Sequence, residues 1–183
     1  DYRSSYSNAR DAQEILVDIA THLNEREFDA RLNTYMKEFT DELKAFSPIL
    51  NLGSATLIRM VIGPQGQAQA LALIEATSPS DLRTRITEIG TQVKKISSPP
   101  ARVGLHQLAL AMLAKSRLAA VNFEKLLILD LYDTNEARRI IQVAFQQIHE
   151  ARQEQQQIQH GIVYPQIQFK PMGVQEVVSF RGF

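Results

Sequence analysis

The chain has no cysteine, which excludes disulfide scaffolds, thiolate zinc sites and cysteine nucleophiles. It has no tryptophan, and only eight phenylalanines and five tyrosines among 183 residues. The core must therefore rest on Leu, Ile, Val, Ala and Met, a palette that suits helix packing better than a sheet sandwich. No apolar run reaches the roughly 20 residues needed to span a bilayer as a helix. There is no excess of charge: 20 basic residues balance 20 acidic ones. The sequence starts Asp-Tyr-Arg-Ser-Ser, without an initiator Met or the apolar core of a signal peptide. A mature form, an excised domain or the ordered part of a longer chain is expected. What remains is ordinary for a folded domain, with 44% apolar and 22% charged residues.

The balanced charge is unevenly spread. Residues 1–50 carry six Lys/Arg against ten Asp/Glu, and residues 51–122 carry eight against three. Residues 123–160 carry four against six, and 161–183 two against one. Two readings follow: opposite segments pack together within one bundle, or complementary surfaces meet on neighbouring subunits. The basic charges of the middle segment are scattered and lack interleaved aromatics, so they give no nucleic-acid signal.

Periodicity points to an all-α bundle of about five to six helices. The first runs from Ser7, a capping residue, to Phe46. Its apolar series is Ile15, Leu16, Ile19, Leu23, Phe28, Leu32, Tyr35, Met36, Phe39, Leu43 and Phe46, read as one buried stripe. The five-residue step from Leu23 to Phe28, with Asn24 inside it, predicts a kink or stutter. Ser47-Pro48 ends the helix, and Asn51–Ser54 is a loop. Short helices over 55–62 and 65–76 flank Gly63-Pro64, and another covers 81–96. The segment 102–131 is apolar on several faces and is expected to be central. A last long helix starts at Thr134 and ends at His160-Gly161. Its Gln-rich stretch, 150–159, has little to bury, so it either projects into solvent or is covered by a partner.

Residues 1–160 thus form the bundle domain, and 161–183 an extended C-terminal tail. In the tail, Ile167-Gln-Phe-Lys alternates as a strand does. With Val178, Phe180 and Phe183 it is too apolar to stay solvated. Ile167, Phe169, Val178, Phe180 and Phe183 are the candidate protein-interaction residues, docking on this chain's own bundle or on another subunit.

The chemistry-bearing residues are unspecific. Asp18, His22 and Glu25 share a helix face with Glu14, but carboxylate-bridged metal bundles use a Glu-x-x-His pair on two helices, and no second copy exists. His106 on an apolar helix is read as packed, and His149 and His160 are too far apart to chelate. Gly63-Pro-Gln-Gly66 lacks the Lys-Ser/Thr of a phosphate loop and is read as a turn. No catalytic, cofactor or metal residue is assigned. Tyr35, Phe39 and Phe46 are read as core. The expected function is that of a structural or assembly subunit acting through protein–protein contacts. The alternative is an extracytoplasmic helical bundle that binds a small molecule as a sensor, and an enzyme with an unrecognised site ranks third.

Overall fold

The computed structural model describes residues 2–129 and 134–163, and within them the protein is the expected all-α bundle. Its helices are α1 (Tyr2–Leu43), α2 (Ser47–Leu52), α3 (Ser54–Ile62), α4 (Gln67–Ala76), α5 (Pro79–Lys94), α6 (Val103–Ile128) and α7 (Thr134–Val163). Single 3-10 turns, Lys44–Phe46 and Pro100–Arg102, precede α2 and α6. Among the described residues no single helix is long and apolar enough to cross a membrane.

The differences from expectation have local causes. Helix α1 starts ahead of Ser7 and is unbroken through Asn24. Ser47–Leu52 is helical because Pro48 falls in the first turn, where its missing N–H removes no bond. Gly53, at φ 76°, then turns the chain into α3. Gly63 and Gly66 close the α3–α4 turn by contact. A Cβ at Gly63 would lie 2.8 Å from the Arg59 carbonyl oxygen, and one at Gly66 2.9 Å from Met60 Cα. Ser78 takes the left-handed conformation between α4 and α5 (φ 47°). Pro79 behind it disfavours the right-handed helical region there.

The centre of the molecule is the pairing of α6 with α7, with α5 on the other flank of α6. The seam of α7 is Ala137, Ile141, Ala144, Ile148, Ala151, Gln155, Ile158 and Ile162, in alternating steps of four and three. That is a sustained heptad stripe in which small and large residues alternate. On α6, Leu105 meets it at Gly161, Lys115 at Glu150 and Glu154, Asn122 at Gln147 and Phe123 at Phe145, and Ala109, Met112, Ser116 and Phe123 are buried. Helix α6 is less surrounded than expected and keeps an exposed side that includes Leu118. The small residues let the two backbones approach. Gly161, helical rather than terminating, extends this approach: a Cβ there would lie 2.9 Å from Leu105 Cδ1. The Gln-rich stretch therefore neither projects nor waits for a partner. Ala151 and Ile158 are fully buried, and Gln155 donates to Thr40 Oγ1 on α1. Phe46, Phe123 and Phe145 stack near the other end of the seam, with centroids 5.3 and 6.2 Å apart.

The uneven charge is used inside the bundle. Arg83 pairs with Glu124 at 3.0 Å, Arg85 with Glu42 at 3.1 Å, and Arg102 with Asp29 at 2.9 Å. Lys115 holds Glu150 at 3.1 Å and also Glu154. Each of these joins the basic middle segment to one of the acidic flanking segments. The internal reading of the charge pattern is thus the one realised.

The Lys115 clamp makes a prediction. Hydrogen bonds to Glu154 and then Glu150 raise the Lys115 pKa above its ordinary value. The Glu150 pKa is lowered, first by the hydrogen bond from Gln146 and then by Lys115. A lowered carboxylate stabilises the fold above its unfolded pKa, and that contribution is lost as pH falls through the folded value. A raised lysine stabilises below its unfolded value and loses the contribution as pH climbs through the folded one. The melting temperature should hold between these limits and drop below about pH 4 and above about pH 10.5. In Lys115→Met the drop from neutral to acid should be shallower. An equally steep drop would show that the clamp contributes nothing.

Candidate functional site

Helix α1 has two faces that serve different regions. From Phe28 onward it is held in the bundle: Phe28, Leu32, Met36, Phe39 and Leu43 are buried. Every residue from Tyr6 to Asn24 is exposed. The helical rod over residues 2–24 is about 34 Å long at 1.5 Å per residue. Ile15 is 59% exposed, Leu16 65%, Ile19 50% and Leu23 60%. The expected single buried stripe is therefore two stripes. At 100° per residue the line Ala12, Leu16, Ile19, Leu23 lies roughly 180° around the helix from the line Phe28, Leu32, Met36, Phe39. The five-residue step is absorbed by this change of face, and the helix stays continuous.

Bundle helices cannot cover the first stripe, because it looks away from the side they occupy. Burying Ile15, Leu16, Ile19 and Leu23 would yield roughly 1 kcal/mol each, about 4 kcal/mol per arm. This is the largest unpartnered apolar surface among the described residues. Exposed large apolar side chains elsewhere, such as Leu118 and Ile128, stand singly.

The root of the arm is fixed by a buried ion pair. Arg102, in the turn before α6, grips Asp29 with Nε to Oδ1 at 2.9 Å and Nη2 to Oδ2 at 3.1 Å. Its Nη2 also lies 3.8 Å from Glu25 Oε2. The Arg102 and Asp29 side chains are 11% and 13% exposed, so this fork is largely out of water. Beside it the Phe28 ring meets the His106 ring edge-on, with centroids 5.8 Å apart. His106 Nε2 is hydrogen-bonded to the Val93 carbonyl at 2.8 Å. The side chains of α6 and of the turn before it thus converge on one turn of α1 and set the direction of all that precedes it.

A half-open cleft of about 400 Å³ lies at this root. It is lined by Thr21, Asn24, Glu27, Phe28 and Arg31 of α1 and by Ile96–Pro100. Its charged groups face each other, with Arg31 and Glu27 2.9 Å apart.

Ile167, Phe169, Val178, Phe180 and Phe183 lie outside the described residues. His22 sits 3.8 Å from Glu25. Glu25 itself turns toward Arg102, and no group of three or more His, Asp or Glu among the described residues is placed to hold a metal ion. His149 is hydrogen-bonded to Gln153. Tyr35 is half-buried against the core, and Phe39 and Phe46 are in it. The surface that sequence reading missed is the arm. Its signal was the five-residue step, read as a kink instead of a change of face. Compared with known proteins, the chain matches no family model, and no curated protein or solved structure is significantly similar to it.

The clamp at the root makes a quantitative prediction. Arg102→Met leaves Asp29 buried without its partner and should cost about 3 kcal/mol in denaturant unfolding. The double variant Arg102→Met with Asp29→Leu should recover most of that loss. Removing the exposed pair Arg10–Glu14, with side chains 73% and 65% exposed, should cost under about 0.5 kcal/mol. Equal costs at the two sites would contradict this account of the root.

Proposed function

We propose that the protein is a structural or assembly subunit that joins copies of itself or other protein subunits into an oligomer, filament, particle or secretion-type complex. The observation that carries this reading is the apolar stripe on the N-terminal arm, held out from the bundle by a rigid root. A helix that exposes five large aliphatic side chains to water, four on or beside the stripe and Val17 off it, is best explained by a protein partner. The Gln-rich stretch and the uneven charge lend this reading no support, since both find partners within the bundle. The C-terminal tail remains part of the proposal, with Ile167, Phe169, Val178, Phe180 and Phe183 as anchors. Gly161 packs on Leu105, close behind Arg102, so the chain leaves α7 at the same end of the bundle as the root of the arm.

A second reading is a ligand-binding bundle, such as an extracytoplasmic sensor domain, and the cleft at the root favours it. Its volume falls within the range of small-molecule sites. The pairing of Glu27 with Arg31 weakens it, because the charges that would orient a ligand are already engaged.

Absolute mass by light scattering separates the two. The full chain should form a defined oligomer or polymer. A chain stopped after Val163 should keep its helicity and lose part of that mass. A full chain that is a compact monomer at every concentration would sink the assembly reading and move the search to ligands of the cleft. Unchanged mass after truncation would remove the tail from the proposal.

A further inference from the structure

We propose that the arm pairs with the arm of a second copy as a two-fold, antiparallel helix pair, which rests on the assembly reading and names its partner. The placement of charge carries this inference. Over residues 8–24, Ala9, Ala12, Leu16, Ile19 and Leu23 form a seam with steps of three and four. The positions bordering that seam are Asn8, Gln13, Ile15, Ala20 and His22, with no Asp, Glu, Lys or Arg among them. All four such residues of the stretch, Arg10, Asp11, Glu14 and Asp18, occupy the outer positions, which they share with the exposed Val17. A helix that stayed alone would have no reason to sort its charges in this way. This is the pattern of a helix that packs on another helix, with an uncharged contact strip that repels nothing of its own kind.

The register follows from size and from what lies further along the same face. In the antiparallel arrangement Leu16 of one copy meets Ile19 of the other, and Ala12 meets Leu23, so a small residue opposes a large one in the outer layers. A parallel pair would set each residue against itself. Along the same face beyond Leu23 the exposed residues are Arg26, Ala30, Asn33 and Lys37. Parallel arms would therefore bring Arg26 to Arg26 and Lys37 to Lys37, and the repulsion selects against it. Antiparallel pairing places Arg26 beside Ala9 and sends the two bundles to opposite ends. The arm enters this pairing with its helix already nucleated, since α1 is anchored from Phe28 onward.

The chain has no cysteine, so introduced ones report without interference. The test uses the full chain carrying Ala12→Cys with Leu23→Cys, and each single variant, under mild oxidation. The double variant should give a covalent dimer on a non-reducing gel. The singles should not, because equivalent positions lie about 16 Å apart, eleven residues at 1.5 Å each. Alongside, Leu16→Glu with Ile19→Glu should halve the mass measured for the parent while keeping a cooperative melting transition. Efficient dimers from the single variants would overturn the antiparallel register. Absence of any cross-link, with a parent assembly that ignores the two Glu substitutions, would overturn arm pairing and leave the assembly reading standing. A parent that runs at its 20.7 kDa chain mass would overturn both.

Discussion

The close approach of α6 and α7 is the constraint on which the other placements depend. It exists because α7 carries alanine at 137, 144 and 151, seven residues apart, and glycine at 161. Interior packing tolerates little empty space, so small residues on one helix draw the facing backbone inward. That contact runs the length of both helices and fixes where α6 begins. The start of α6 in turn places Arg102 against Asp29 and His106 against Phe28. Those contacts grip α1 at one turn and aim the residues before it. The direction of the exposed arm is therefore a consequence of a seam that the arm itself does not touch.

The ion pairs across the helices follow the same order. Arg83, Arg85, Arg102 and Lys115 come from the basic middle of the chain and find acidic partners on α1, α6 and α7. Most of these are partly exposed and individually weak. The Arg102–Asp29 fork differs because water is largely excluded from it. Its contribution is one of position: a bidentate pair tolerates little rotation, so it orients α1 where a purely apolar contact at Phe28 would leave it able to roll.

Much of this architecture was legible in the sequence, and the failures have physical causes. Proline and glycine marked the breaks between the short helices correctly to within a few residues. Pro48 misled because it marks a helix start as readily as a stop. The segment from Glu150 to Gln159 read as unpacked because glutamines outnumber apolar residues there. Yet Ala151, Gln155 and Ile158 fall on the heptad line, and a half-buried glutamine with a hydroxyl partner occupies a seam position between the two buried residues. The first helix was read as having one stripe. Composition cannot distinguish a stripe that turns from one that breaks, because both give the same five-residue step. What decides is whether the residues at the step, Asn24 and Glu25, cost enough to interrupt an otherwise helical run. They do not, since each lies within 0.7 kcal/mol or so of alanine in helix propensity.

A continuous helix with two opposed apolar faces has a mechanical consequence. The bundle fixes one face, and a partner on the other, as proposed, would meet no flexible joint between the two along α1. A force or rotation applied at Leu16 and Ile19 reaches Phe28 through some nine residues of hydrogen-bonded backbone. It meets there the Arg102 fork and the His106 contact, which belong to the bundle's central helix and the turn before it. The arm and the turn of α1 packed in the bundle are in this way parts of one continuous helix. A subunit built so would set the spacing and orientation of its neighbours by geometry, where a subunit with a linked, hinged arm would only tether them. The cleft at the root lies between α1 and the Ile96–Pro100 turn. Anything that wedged between α1 and the Ile96–Pro100 turn would act directly on the aim of the arm.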